Sequence, residues 1–251
     1  MPPSMTTALD NTRRFLGLFD MLGFSSFCES RSAQELAAAY QQILASIVTA
    51  TTYGTDGEDD HVLIFSDTVV LAEPRMEPRT EAVRHLFRLA SLLIHNSLLE
   101  LNRFEHPPFR GCVSFGECIF RKNASLFSNS DCRTSLVLGK AVARASAWEK
   151  KQKWVGASIV PSDLPDIRIA FPGLLEQLVE EGYLVDYDVP TEDGLVATLA
   201  INCVTSGHSD HILRLVRDRE QQLPPKEASK YRGTRRFVEA VMNTGKYIPP
   251  R

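Results

Sequence analysis

Two aspartates sit where a carboxylate needs a reason to be. Asp20 ends the apolar run of FLGLFDMLGF (Phe15–Phe24) just before a glycine turn, and Asp67 occupies the turn of HVLIFSDTVVLA, 67 − 20 = 47 positions later. An ionised carboxylate beside a core is costly unless a cation meets it. Two carboxylates brought to one edge repel each other unless a divalent cation joins them. Hard cations such as Mg²⁺ and Mn²⁺ suit carboxylate oxygens and keep positions open for phosphate oxygens. The chemistry on offer is two-metal phosphoryl transfer, with the acid pair holding a nucleoside triphosphate for in-line attack.

The flanking patterns say how the pair is positioned. Arg14–Phe19 is a short β-rich run that Asp20–Gly23 leaves through a turn. Ser32 and Glu35 form a capping box for a helix over Ala33 to about Val48, and GTDGEDD (Gly54–Asp60) breaks the chain again. His61–Ala72 reads as a hairpin with Asp67 in its turn. If the first and second strands lie side by side, the two aspartates converge. A long helix is predicted over Arg79–Leu101, a strand over Phe109–Phe120, a cationic helix over Gly139–Lys151 and a strand in VGASIV, giving β-α-β-β-α-β-α-β. A helix near Leu174–Glu181, two strands about an Asp-Gly turn, and two charged helices parted by Pro224 and Pro225 follow. The expected organisation is one domain over 1–205 with a helical extension over 206–251.

Bulk properties remove several alternatives. The 251 residues carry a net charge of −3 and are 43% hydrophobic, ordinary globular values that suggest neither a nucleic-acid groove nor an anionic membrane surface. No apolar run approaches the length of a membrane helix. Five cysteines, odd in number and without CxxC, argue against a disulfide framework or zinc site, and the chain reads as soluble and cytoplasmic. No P-loop, GxGxxG or GxSxG occurs. HSDH (His208–His211) reads as a loop, and the basic stretch KYRGTRRF (Lys230–Phe237) as an exposed helix face.

Five segments in order resemble the class III nucleotidyl cyclase family. FDMLGF is similar to its first metal motif and FSDTVVL to its second, with Ser66-Asp67 where a Gly-Asp is usual. RGCVSFGE resembles the RxGIxxG strand, GKAVARASAWE the GxxVNxAxR helix, and VGASIVPS the strand after it. The resemblance spans about residues 14–205. It implies an α+β fold with a ferredoxin-like palm (β-α-β-β-α-β), and a head-to-tail homodimer with composite active sites. It also implies two Mn²⁺ or Mg²⁺ ions per site, held by Asp20, Asp67 and the main-chain carbonyl of Met21.

The departures from the family pattern point to the substrate. Leu63 and Leu136 stand where purine cyclases place base-reading Lys and Asp, and Ala143 and Ala147 stand where the transition-state Asn and Arg belong. Lys140 and Arg144, each three positions earlier, share a neighbouring helix face and are candidates to replace them. Loss of purine readers with the metal aspartates kept resembles the pyrimidine cyclases of bacterial Pycsar antiphage systems. The expected substrate is UTP, or alternatively CTP, with Tyr53 and Arg110 as candidate base or phosphate contacts and the cyclic product sensed by a separate effector. The competing reading is a catalytically silent cyclase-homology module.

Overall fold

The computed structural model describes residues 13–38, 40–41, 62–74, 76–101, 107–125 and 133–248. Tyr53, His61, the far end of the 33–48 helix and the GTDGEDD break lie outside them.

One seven-stranded sheet organises the chain. Its first strand, β1 (Arg13–Met21), leads through a turn at Gly23 into α1 (Phe24–Glu29), and α2 opens at 33. The α2 capping box is present: Ser32 N donates to Glu35 Oε2 at 2.8 Å and Glu35 N donates to Ser32 Oγ at 3.3 Å. The hairpin β2 (Val62–Phe65) and β3 (Thr68–Ala72) precedes α3 (Arg79–Leu99) and β4 (Phe109–Glu117). A separate two-stranded ribbon, β5 (Ile119–Ser125) and β6 (Arg133–Leu138), comes next, then α4 (Lys140–Lys151) and β7 (Ala157–Ile159). Two short helices, α5 (Leu164–Ala170) and α6 (Leu174–Glu180), lead to the hairpin β8 (Leu184–Thr191) and β9 (Gly194–Ile201). Helices α7 (Ser209–Gln222) and α8 (Pro225–Thr244) finish the described chain.

The sheet order is β2-β3-β1-β4-β7-β9-β8. Its first four strands have the order of a ferredoxin-like palm. β1 therefore neighbours β3 and not β2, which corrects the expected pairing of the first two strands. The aspartates still converge, because Asp67 sits in the turn that feeds β3.

Alternation along β1 assigns its faces. Phe15, Phe19 and Met21 share a buried cluster with Val83, Leu86, Phe87 and Ala90 of α3. Leu16 packs on the opposite face with Val70, Ala72 and Ala141 of α4. Asp20 has the parity of Leu16 and lies on the α4 side. In β4, Gly111 is required by close approach: a Cβ there would overlap the Phe19 ring and the Leu18 carbonyl.

The C-terminal helices are built into this core. Thr234 Oγ1 accepts from Val155 N at 2.9 Å and donates to Val155 O at 2.8 Å. Phe237 stacks edge-on against Trp154 and Tyr187, and Tyr187 Oη donates to Gly233 O at 2.9 Å. Tyr231, Gly233, Thr234 and Phe237 are buried. KYRGTRRF is thus a docked helix with a basic outer side, not the exposed face its charge suggests.

Candidate active site

Asp20 lies one residue from the end of β1, opposite Thr68 of β3 and Arg110 of β4. The next amide, Met21 N, donates to the Asp67 carbonyl at 2.9 Å, which ties the hairpin turn to the strand end. That turn uses Ser66 at φ 56, a left-handed conformation most side chains avoid. The Tyr40 hydroxyl of α2 donates to the Ser66 carbonyl and braces it. The Gly usual at this place in the resembling motif is replaced by a residue that tolerates the angle less well.

Among the described residues, Arg110 is the cation paired with Asp20, with Nη2 3.9 Å from Oδ2. Its stronger commitment is elsewhere. Arg110 Nε donates to Glu149 Oε1 at 2.6 Å, Nη2 meets the same oxygen, and Nη1 donates to the Gln152 carbonyl at 3.0 Å. Glu149 is only 4% exposed. The Asp20 carboxyl is accordingly pushed up to about 6 from 3.8, by burial and by the neighbouring Glu149 and Asp67 carboxylates, against the pull of Arg110 and Lys230. The edge holds more negative charge than its cations neutralise.

A divalent cation fits that imbalance. Among the described residues no three His, Cys, Asp or Glu side chains gather into a ready metal cage. An ion would rest on Asp20, Asp67, main-chain oxygen and phosphate oxygens, the sparse ligand set in which Mg²⁺ keeps water and substrate.

The other candidates distribute unevenly. Lys140 pairs with Glu117 at 3.0 Å, and Arg144 Nε lies 2.6 Å from Asp163 Oδ1 while Nη2 donates to Phe115 O at 2.7 Å. Glu117 and Gly116 pair with Arg13 and Arg14 at the opposite end of β1 from Asp20, roughly 20 Å away at the usual strand rise. Neither cation reaches Asp20 of its own chain. Asp163 is 2% exposed and also accepts from Ser114 Oγ and Phe115 N, so Arg144 neutralises a buried carboxylate as well. Ala143 and Ala147 are exposed on the outer side of α4. Leu63 is half-buried beside the cluster of Leu16, Val70 and Ala141, and Leu136 is half-buried on β6, opposite Arg121.

Two residues near Asp20 escaped sequence reasoning. Glu149 stands in AWEKK, where its charge reads as part of a solvated helix end. Lys230 stands in the basic α8 stretch, yet it is half-buried and its charge is felt at both Asp20 and Arg110. Only docking of α4 and α8 reveals either.

No family model and no curated protein matches the chain. Solved structures do. A bacterial light-regulated adenylyl cyclase superposes with TM-score 0.51 and 13% identity, over 93% of this chain and 57% of that one. The fold is that of the class III nucleotide cyclases. Two others are the adenylyl cyclase CyaB from P. aeruginosa (TM-score 0.49, 14% identity, 75% and 94% covered) and a guanylate cyclase domain from Catenaria anguillulae (0.45, 12%, 76% and 96%). Within the cyclase fold, the Asp20 edge is the C-terminal end of the first palm strand, where β1 meets the hairpin turn.

Proposed function

We propose that the chain is a metal-dependent nucleotidyl cyclase that converts a pyrimidine nucleoside triphosphate, UTP in preference to CTP, to its 3′,5′-cyclic monophosphate and diphosphate. The observation that carries this reading is the convergence of Asp20 and Asp67 at the end of β1, linked through the Met21 amide. Asp20, Asp67 and the Met21 carbonyl would hold two Mg²⁺ or Mn²⁺ ions, which when bound acidify the ribose 3′-hydroxyl and neutralise the triphosphate. The chain's own part is positional. The β1–β3 ladder fixes the two carboxylates, and Arg110, clamped by Glu149 and Gln152, supplies fixed positive charge beside them rather than a free base-reading group.

Base choice rests on hydrocarbon. Leu63 and Leu136 would face a purine's polar edge with no hydrogen-bonding group, at a cost of about 1–3 kcal/mol per unpaired group. Two such groups give roughly 10²-fold discrimination. Composite sites in a homodimer are favoured by the position of Lys140 and Arg144, which can approach an Asp20 edge only from a second copy. By resemblance to the antiphage pyrimidine cyclases, the product would be a second messenger read by a separate effector.

The test is turnover of equal ATP, GTP, CTP and UTP with Mn²⁺, with products resolved by chromatography. A dominant cyclic UMP peak is expected, and a dominant cyclic CMP peak would move the assignment to the cytidylate alternative. A purine product overturns the base assignment. No cyclic product from any of the four leaves the silent nucleotide-binding module as the correct reading.

A further inference from the structure

Asp20 and Arg110 are partners across the β1–β4 ladder, on one face of the sheet, the placement in which a cross-strand salt bridge forms. Here the bridge stays open. Arg110 Nη2 stands 3.9 Å from Asp20 Oδ2, about 1 Å longer than a charge-assisted hydrogen bond. The guanidinium is drawn instead to the last turn of α4. Nε and Nη2 both meet Glu149, and Nη1 donates at 3.0 Å to the Gln152 carbonyl, at the end of the helix where carbonyls lack helical partners.

That turn of α4 is anchored by a buried polar cluster. Gln152 Nε2 donates to Gly111 O at 2.8 Å, and its Oε1 accepts from Trp154 Nε1 at 2.8 Å and Ser158 Oγ at 3.2 Å. Trp148 Nε1 donates to the same Ser158 hydroxyl at 2.9 Å. The turn that carries Glu149 and Gln152 cannot follow Arg110 toward β1 without breaking these bonds. Exposure separates the two carboxylates that compete for the arginine. The Glu149 side chain is 5% exposed and that of Asp20 29%. A buried carboxylate needs a cation built into the protein, whereas an open one can take its cation from solution.

We propose that Glu149 is a positioning residue that withholds Arg110 from Asp20 and so keeps the Asp20 carboxylate open to a divalent cation. The use of that open carboxylate rests on the cyclase reading; the withholding does not. With Glu149 neutral, Asp20 is the remaining carboxylate paired with Arg110, and a shift of about 1 Å closes the salt bridge. A metal would then have to displace a guanidinium from its own ligand.

The experiment compares the effect of Asp20→Asn on the melting temperature of the full chain in three backgrounds, in chelator at pH 7.5. In wild type the substitution should raise the melting temperature. In Glu149→Gln it should lower it, because Asp20 has become the counterion of Arg110. In Glu149→Gln/Arg110→Gln, which leaves no buried charge unpaired, the lowering should disappear and so assign it to Arg110. Calorimetry with Mn²⁺ reads the consequence: Glu149→Gln should bind at least tenfold more weakly than wild type, and the double variant within about threefold of it. In turnover, Glu149→Gln should raise the Mn²⁺ concentration for half-maximal rate at least tenfold, with kcat at saturating metal little changed. The proposal is overturned if Asp20→Asn does not lower the melting temperature of Glu149→Gln, or if the lowering persists without Arg110. Unchanged Mn²⁺ binding by Glu149→Gln, or binding by the double variant as weak as by Glu149→Gln, overturns it too. So does loss of the folded state in Glu149→Gln, which would mean that Arg110 finds no counterion in Asp20. If the melting temperatures behave as expected but wild type binds no Mn²⁺ at millimolar concentration, the two-metal reading falls and the hold of Glu149 on Arg110 stands.

Discussion

At the scale of single residues, Asp20 sets the stability of the fold against the metal-binding role proposed for it. Its carboxyl, pushed up to about 6 in the fold from 3.8, gives up its proton less readily than an ordinary aspartate. A raised carboxyl pKa means that the folded state binds the proton more tightly than the unfolded chain. The ionised group therefore weakens the metal-free fold above pH 6, and the penalty vanishes below about pH 4. Asp20→Asn should raise the melting temperature of metal-free protein at pH 7.5 by a few degrees, corresponding to about 1–3 kcal/mol, with no gain at pH 4. Mn²⁺ should stabilise wild type and not the variant, and cyclase turnover should fall at least 10²-fold. A variant that melts lower at pH 7.5, or one still stabilised by Mn²⁺, would contradict the repulsion argument. Asp20 and Asp67 were legible in sequence because each is a carboxylate adjoining an apolar run. Glu149 and Lys230 were not, because burial of a charge inside a charged helix is decided by what the helix docks against.

At the scale of elements, the hairpin turn carries the cost. Ser66 at φ 56 holds Asp67 beside Met21, and a non-glycine residue there gives up roughly 1 kcal/mol relative to its preferred conformations. Ser66→Gly should stabilise the protein by up to about 1 kcal/mol in urea unfolding, after allowing for glycine's greater freedom in the unfolded chain. Destabilisation would mean that the serine side chain contributes something the backbone angle does not show. The hairpin itself was visible in the alternation about SDT, as were the capping box at Ser32 and Glu35 and the two helices parted by Pro224 and Pro225. The β5–β6 ribbon was not. Its first strand, IFRKNAS, shows no clean apolar alternation, and its register shifts between Arg121 and Ala124. The short α5, with a proline at its start, was equally hidden. Strand neighbours were also beyond sequence pattern, since a hairpin can pair with β1 through either arm.

At the scale of the whole molecule, one chain does not bring all its candidate groups together. Lys140 and Arg144 lie at one end of β1 and Asp20 at the other. Removing Arg144 would strand the buried Asp163, at a cost of about 3–5 kcal/mol, so Lys140 is the cleaner probe of a contribution across a dimer. Mixing Asp20→Ala with Lys140→Ala should restore about a quarter of wild-type activity, since half the dimers formed by exchange carry one intact site of two. Absence of recovery, with subunit exchange demonstrated by labelled chains, would assign the whole site to one protomer.

The docking of α8 also fixes an order of events in synthesis. Asp20 leaves the ribosome 230 − 20 = 210 residues before Lys230. The palm strands that carry the aspartates can pair long before the helix that walls Trp154 and Tyr187 exists, since domains generally acquire structure from the N-terminal side as they emerge. A nascent chain that has not yet made α8 lacks this wall and part of the core, and Thr234, whose hydroxyl bonds both the amide and the carbonyl of Val155, is the latch that seats the helix.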